Sequence, residues 1–117
     1  LQEDMAIIND PNYTQVTLTG TDNAPSALAR VYWNPSKESV YLSVARMDDL
    51  PEGKVYQLWA LVDGQPVDAG IFTPEDSLIE MKAIGMGQAF AVTIEDEGGA
   101  ESPALETLQV IGNVATS

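Results

Sequence analysis

Cysteine and histidine are both missing from the sequence. Without cysteine there is no disulfide, no thiolate metal site and no thiol nucleophile. Without histidine the chain lacks the side chain most used near neutral pH as a general base and as a metal ligand. Basic residues are scarce too. Arg30, Lys37, Arg46, Lys54 and Lys82 stand against 18 acidic residues, for a net charge of −13. They are scattered, so they build no basic face to neutralise phosphates, and nucleic-acid binding is not expected. Docking on anionic lipid is disfavoured for the same reason. No apolar run reaches the roughly 18 residues that would suggest a membrane-crossing helix. No secretion-signal pattern is visible. The chain opens on Leu1 rather than Met, which is the expectation for a segment of a longer protein.

What remains is material for one folded unit. The 117 residues are 44% hydrophobic, a length that matches one domain of about 100–150 residues. The acidity reads as solubility through self-repulsion. Leu1, Met5 and Ile8 fall on one helical stripe, which ends at Asn9-Asp10-Pro11; proline disfavours helix in the residue before it. We therefore expect residues 1–8 to be a short helical stub or linker and 9–117 to be the domain.

From Tyr13 onward the period changes to two. Strands are expected at Tyr13–Thr19, Leu28–Trp33, Val40–Met47, Tyr56–Val62, Pro66–Phe72, Leu78–Ile84, Ala89–Glu95 and Leu108–Ile111. Asn34–Glu38 and Asp63-Gly64-Gln65 are turn clusters, the latter a strong hairpin signal. Tyr56–Val62 is apolar on both faces, as a central or covered strand would be. Asp96–Pro103 reads as a flexible acidic loop. Seven to eight short strands at this spacing predict an all-β, antiparallel β-sandwich of Ig-like or Greek-key type.

Motifs that carry chemistry are few. Neither Gly-x-Ser-x-Gly nor Ser-x-x-Lys occurs. Gly85-Met86-Gly87 begins a dinucleotide-like pattern, but the third glycine position is Phe90 and a strand follows, so no helix N-terminus would meet a phosphate. Asp48-Asp49 and Glu95-Asp96-Glu97 are adjacent carboxylates. Neighbours on a strand point to opposite faces, which is the wrong arrangement for two carboxylates facing across a cleft. Asp96 and Glu97 are the residues a Ca²⁺ ion would use, though without EF-hand spacing. Met5, Met47, Met81 and Met86 read as core filler rather than a thioether copper site. Trp33, Tyr56 and Trp59 are core candidates unless they line an exposed sugar-binding row. Asn12-Tyr13-Thr14 fits the glycosylation sequon. No catalytic residue and no cofactor is assigned.

Two blocks carry a resemblance. The first is Tyr56-Gln57-Leu58-Trp59, then Asp63-Gly64, Pro66-Val67, Ala69-Gly70 and Phe72. The second is Ala89-Phe90-Ala91-Val92-Thr93-Ile94-Glu95, then Gly98-Gly99 and Ser102-Pro103. In their order and separation they resemble the C-terminal domain of anti-sigma-K factors, with a weaker match at Ala24-Pro25 and Val31–Asn34.

The resemblance implies a regulatory rather than enzymatic role. It places the domain on the periplasmic, extracytoplasmic side of the bacterial inner membrane, in a single-span protein that controls an extracytoplasmic-function sigma factor. The sigma factor would be bound by a cytoplasmic domain of the parent, and a protease or periplasmic protein would act on the outer part. Residues 1–8 would then be a juxtamembrane remnant. Tyr56, Gln57, Leu58, Trp59, Gly64, Gly70, Phe72, Phe90, Gly98 and Gly99 would be fold-making motif residues. The competing expectation is a periplasmic ligand-binding sandwich for carbohydrate, peptide or Ca²⁺.

Overall fold

Alternation sets the strands. Val16 and Leu18 are buried while Gln15, Thr17 and Thr19 between them face solvent, as a half-buried strand requires. In the computed structural model, residues 2–114 are described. A helix α1 (Gln2–Ile8) precedes eight strands: β1 (Thr14–Gly20), β2 (Leu28–Asn34), β3 (Ser39–Arg46), β4 (Lys54–Val62), β5 (Gln65–Phe72), β6 (Ile79–Glu80), β7 (Ala89–Asp96) and β8 (Val110–Asn113). A single 3-10 turn, Leu105–Thr107, lies between β7 and β8. The all-β, antiparallel expectation holds, with the short helix at the start.

The strand order, which the sequence leaves open, is β5-β4-β7-β8-β1-β2-β3-β6. All eight strands belong to one continuous sheet, and its two ends are brought together. Ile79 and Glu80 pair with Leu42 and Tyr41 of β3, and Met81 N–H continues this by donating to Val40 O at 2.9 Å. One residue on, Lys82 N–H donates to Ala69 O of β5, also at 2.9 Å. The segment thus bridges both edges, and the sheet is nearly closed, like a barrel. This is why Leu78–Ile84, expected as a full strand, has strand geometry only at Ile79–Glu80. A chain crossing between two edges can pair only briefly with each. On β5, Pro66 occupies an edge strand, where a missing N–H is tolerated.

The hairpins follow their turn chemistry. Val62 pairs with Gln65, leaving Asp63 and Gly64 as a two-residue loop with φ of 52° and 80°. Two positive φ values are what a type I′ turn needs, and Asp-Gly is a preferred pair for it. β2 and β3 are joined by four residues between the paired Asn34 and Ser39.

Inside, residues from both halves of the sheet meet. Trp33 of β2 and Phe90 of β7 pack edge to face, centroids 5.6 Å apart at 74°. Trp33 Nε1 donates to Ile84 O at 2.7 Å, so the indole dipole is satisfied although the residue is buried. Leu18, Leu42, Leu58, Val92 and Val110 are fully enclosed around them. Tyr56 and Phe72 stack at 5.6 Å. Trp33, Tyr56 and Trp59 are all buried, so they form no exposed sugar-binding row.

Other expectations need correction. Met81 is buried, but Met5 and Met86 are about 60% exposed (60% and 61%) and are not core filler. The helical stripe falls on α1. Met5 and Ile8 face solvent, and the contact to the sheet is polar, Leu78 N–H donating to Asp4 Oδ2 at 3.0 Å. Leu1 of that stripe lies outside the described residues. The last strand begins at Val110 rather than Leu108, because Leu105–Thr107 coils into the 3-10 turn.

Truncating the central aromatics tests this core. Phe90→Ala should cost about 3–5 kcal/mol, in the range found for buried aromatics, and Trp33→Ala at least as much because Ile84 O loses its donor. Val67→Ala, at an exposed position of β5, should stay within about 0.5 kcal/mol. Urea unfolding of the three variants measures this, with midpoint shifts at an unchanged slope.

Candidate functional site

Motif residues of β4 point alternately inward and outward. Tyr56 and Leu58 enter the core; Gln57 and Trp59 point out of the sheet. Yet both outward residues are only 1% exposed. They are covered by the segment that leaves β7 and returns as β8, residues 97–109, which crosses the outer face of β4 and β7.

Burying a polar group is costly unless its hydrogen bonds are made. Here they are. Gln57 Nε2 donates to Asp68 Oδ1 at 2.9 Å and to Ala100 O at 3.0 Å. Its Oε1 accepts Ala100 N–H at 2.8 Å. Trp59 Nε1 donates to Thr93 Oγ1 at 2.9 Å, Thr93 donates to Glu95 Oε2, and that oxygen also accepts Ala104 N–H at 2.8 Å. Thr107 Oγ1 accepts Ile94 N–H at 2.9 Å, and its single proton is shared between Ala104 O at 2.8 Å and the more distant Ile94 O at 3.1 Å. Among the described residues no buried side-chain polar atom lacks a partner.

Beside this layer lies an open cleft lined by Gln57, Asp68, Ile71, Lys82, Gly99 and Glu101. Asp68 is its charged centre. It accepts from Gln57, from Gly70 N–H at 2.8 Å and from the Lys82 ammonium. Partial burial alone would push the Asp68 carboxyl up, but the Lys82, Gly70 and Gln57 donors outweigh it and hold it below the usual carboxylate value. Gly99 has φ of 84°, and a Cβ there would sit 2.8 Å from Ile71 Cγ2 and 3.1 Å from Gln57 Oε1. A left-handed backbone and a tight approach both require glycine.

The fold therefore gathers part of the motif. Gln57, Trp59, Gly70 and Gly99 meet at this layer and cleft. Gly98 (φ 96°) starts the covering segment. Tyr56, Leu58, Phe72 and Phe90 serve the core, and Gly64 serves the distant hairpin turn. Tyr56 O–H donates to Asp48 O at 2.7 Å; burial first, then the Asp48 and Asp49 carboxylates, push its phenol up and keep it neutral.

The side chains of Asp96 and Glu97, where the covering segment leaves β7, take no part in these hydrogen bonds. Asp96 is paired with Lys54, which by hydrogen bond and charge holds its carboxyl below the usual value. Glu97 is exposed, and its N–H donates to Gly53 O at 2.9 Å. Among the described residues, no group of three or more acidic side chains is placed to hold a metal ion.

Sequence reasoning gave no site role to Asp68, Lys82 or Thr107, and named Thr93 only as part of the second block. The one available signal was the polar residues at outward positions of β4 and β7. Their partners come from a loop with no periodicity. Chemically the arrangement is one of mutual satisfaction: the Asp68 and Glu95 carboxylates and the Gln57 amide are occupied by groups of the chain itself.

The family model described as Anti-sigma-K factor rskA, C-terminal, matches residues 2–110. The comparisons with curated proteins and with solved structures gave no match.

The ion pair in the cleft has a pH consequence. A carboxyl held low in the folded state stabilises the fold fully above its unfolded value, near 3.8, and that contribution is lost as pH falls through the lower folded value. A carbon-detected NMR titration should put the Asp68 midpoint below 3.8, and Lys82→Ala should move it upward. An unmoved midpoint would show that Lys82 does not hold the carboxylate in solution.

Proposed function

The chain belongs to the anti-sigma-K factor C-terminal family, and from that membership we propose that it is the extracytoplasmic regulatory domain of a membrane-anchored anti-sigma factor. The observation that carries this reading is the extent of the family match, residues 2–110, which takes in α1, β1 to β7 and the start of β8. The family is regulatory rather than enzymatic, and a sigma factor is the partner it implies.

In this reading residues 1–8 are the juxtamembrane linker and 9–117 the domain on the periplasmic side of the inner membrane. A cytoplasmic part of the parent holds an extracytoplasmic-function sigma factor. The domain acts on that hold from across the membrane, with a protease or periplasmic protein as a further partner. The sequence agrees with such a division: no basic face is available for DNA or RNA. The internal pairing of Asp68, Asp96 and Gln57 agrees with a regulatory module more than with a reaction centre.

The test uses the full-length parent. Deleting residues 9–114 in frame should change sigma-dependent reporter activity severalfold, and alkaline phosphatase fused after Val114 should be active. An unchanged reporter together with unchanged cleavage of the anchor would refute the regulatory role. An active β-galactosidase fusion at the same point would refute the extracytoplasmic placement.

A further inference from the structure

We propose that residues Glu97–Leu105 form a displaceable strap, closed in this structure over a polar face of β4 and β7 and able to open without unfolding of the sheet. The segment is held by a few directed hydrogen bonds and has little apolar anchorage. None of its residues is buried; Leu105, its one large apolar side chain, is 67% exposed. Elements with few buried contacts open at lower free energy than the core they lie on.

Besides the Glu97 N–H to Gly53 O bond at its near end and the bonds from Thr107 to Ala104 O at its far end, two side chains of the sheet fasten it. Gln57 grips Ala100 by both backbone groups, and Glu95 Oε2 takes the N–H of Ala104. Two successive left-handed glycines, Gly98 and Gly99, form the hinge at its start, where large changes of backbone angle carry little steric cost. Its far end is anchored elsewhere. Asn23 Nδ2 donates to Glu106 O and Leu108 O at 3.1 and 3.0 Å, and Thr21 Oγ1 donates to Leu108 O. The molecule thus divides the 97–109 segment into a part that can lift and a part pinned to the β1–β2 loop.

What lies beneath gives the opening a consequence. The covered side chains are an amide (Gln57), an indole N–H (Trp59), a hydroxyl (Thr93) and a carboxylate that is 7% exposed (Glu95). Lifting the strap removes the Ala100 backbone from the Gln57 amide and the Ala104 N–H from Glu95 Oε2, while the Trp59–Thr93–Glu95 chain and the Gln57–Asp68 bond stay within the sheet. Ala100 is bound to Gln57 as the backbone of an extended peptide would be. The strap is an intramolecular occupant of a face that recognises backbone amides.

Native-state hydrogen exchange followed by NMR tests this. In the unaltered chain, the Ala100 and Ala104 amides should exchange at least tenfold faster than those of Val16 and Val92 in the core. Gln57→Ala should speed Ala100 and Ala104 at least a further tenfold while Val16 and Val92 change less than twofold. Gly99→Ala, whose Cβ meets Gln57 and Ile71, should give the same pattern from the strap side. Asn23→Ala should leave Ala100 and Ala104 unchanged, since it frees only the pinned end. If the strap amides exchange only at the core rate, or if both strap variants accelerate core and strap by the same factor, the strap does not open separately. Equal acceleration of Ala100 and Ala104 by Asn23→Ala would overturn the division into liftable and pinned parts.

Discussion

Met81 and Lys82 donate their backbone N–H groups in opposite directions, to Val40 of β3 and to Ala69 of β5. That crossing makes a closed body out of an open eight-stranded sheet. Unpaired sheet edges invite association with other chains; here the two ends of the strand order are tied to each other by the same four residues. The closure also sets the interior. It brings β2 opposite β7, so that Trp33 meets Phe90, and it delivers Ile84 O to the Trp33 indole. The core aromatics and the closure thus support one another. The short β6 is sufficient because it need only bridge.

The second constraint is polar. A strand enclosed on both faces usually carries apolar residues on both, and β4 does so except at Gln57. The structure accommodates the amide by laying a loop over it whose backbone supplies both a donor and an acceptor. Beside it Glu95 on β7 accepts one more backbone N–H of the same loop, from Ala104. The cover is specified by hydrogen-bond geometry and contributes little apolar burial. That difference separates the mechanical character of this outer layer from that of the core. Buried polar networks that are fully satisfied favour one arrangement over alternatives, and removing one member leaves its partner orphaned at a cost of about 1–3 kcal/mol.

Legibility in the sequence followed the range of the interactions. The period-two alternation of Val16 and Leu18, or of Phe90, Val92 and Ile94, reports the local choice of which face is buried, and those strands were readable within one residue. The Asp63-Gly64 hairpin was readable because its two positive φ values demand those residues. Strand order was not, since pairings such as β1 with β8 join residues about ninety positions apart. Leu78–Ile84 was read too long because an alternating segment carries no mark that its two halves pair with different strands. Met5 and Met86 were misplaced because an apolar side chain signals burial only on average. At the site, Gln57, Trp59 and Thr93 fell within the two family blocks, while Asp68 and Thr107 did not. Their roles depend on which loop lies over them, and Asp96–Pro103 has no periodicity to announce its course.

Charge bounds what the surface can meet. Two of the five basic residues are already committed to carboxylates, Lys54 to Asp96 and Lys82 to Asp68, and the Arg46 guanidinium donates to Ser26 O at 3.0 Å. The net field is therefore negative, and the positive groups that might relieve it locally are mostly engaged. Such a field slows the approach of a polyanion and speeds that of a basic partner, increasingly so at low salt. It governs encounter and not the fold, which rests on the closed sheet. The fold gives a stable scaffold, the covering layer is fastened to it by a few backbone hydrogen bonds, and the field selects the charge of what arrives. For a family whose role is regulation, those three properties are together more informative than any single side chain, because none of the paired carboxylates or amides at the site is left over to act alone.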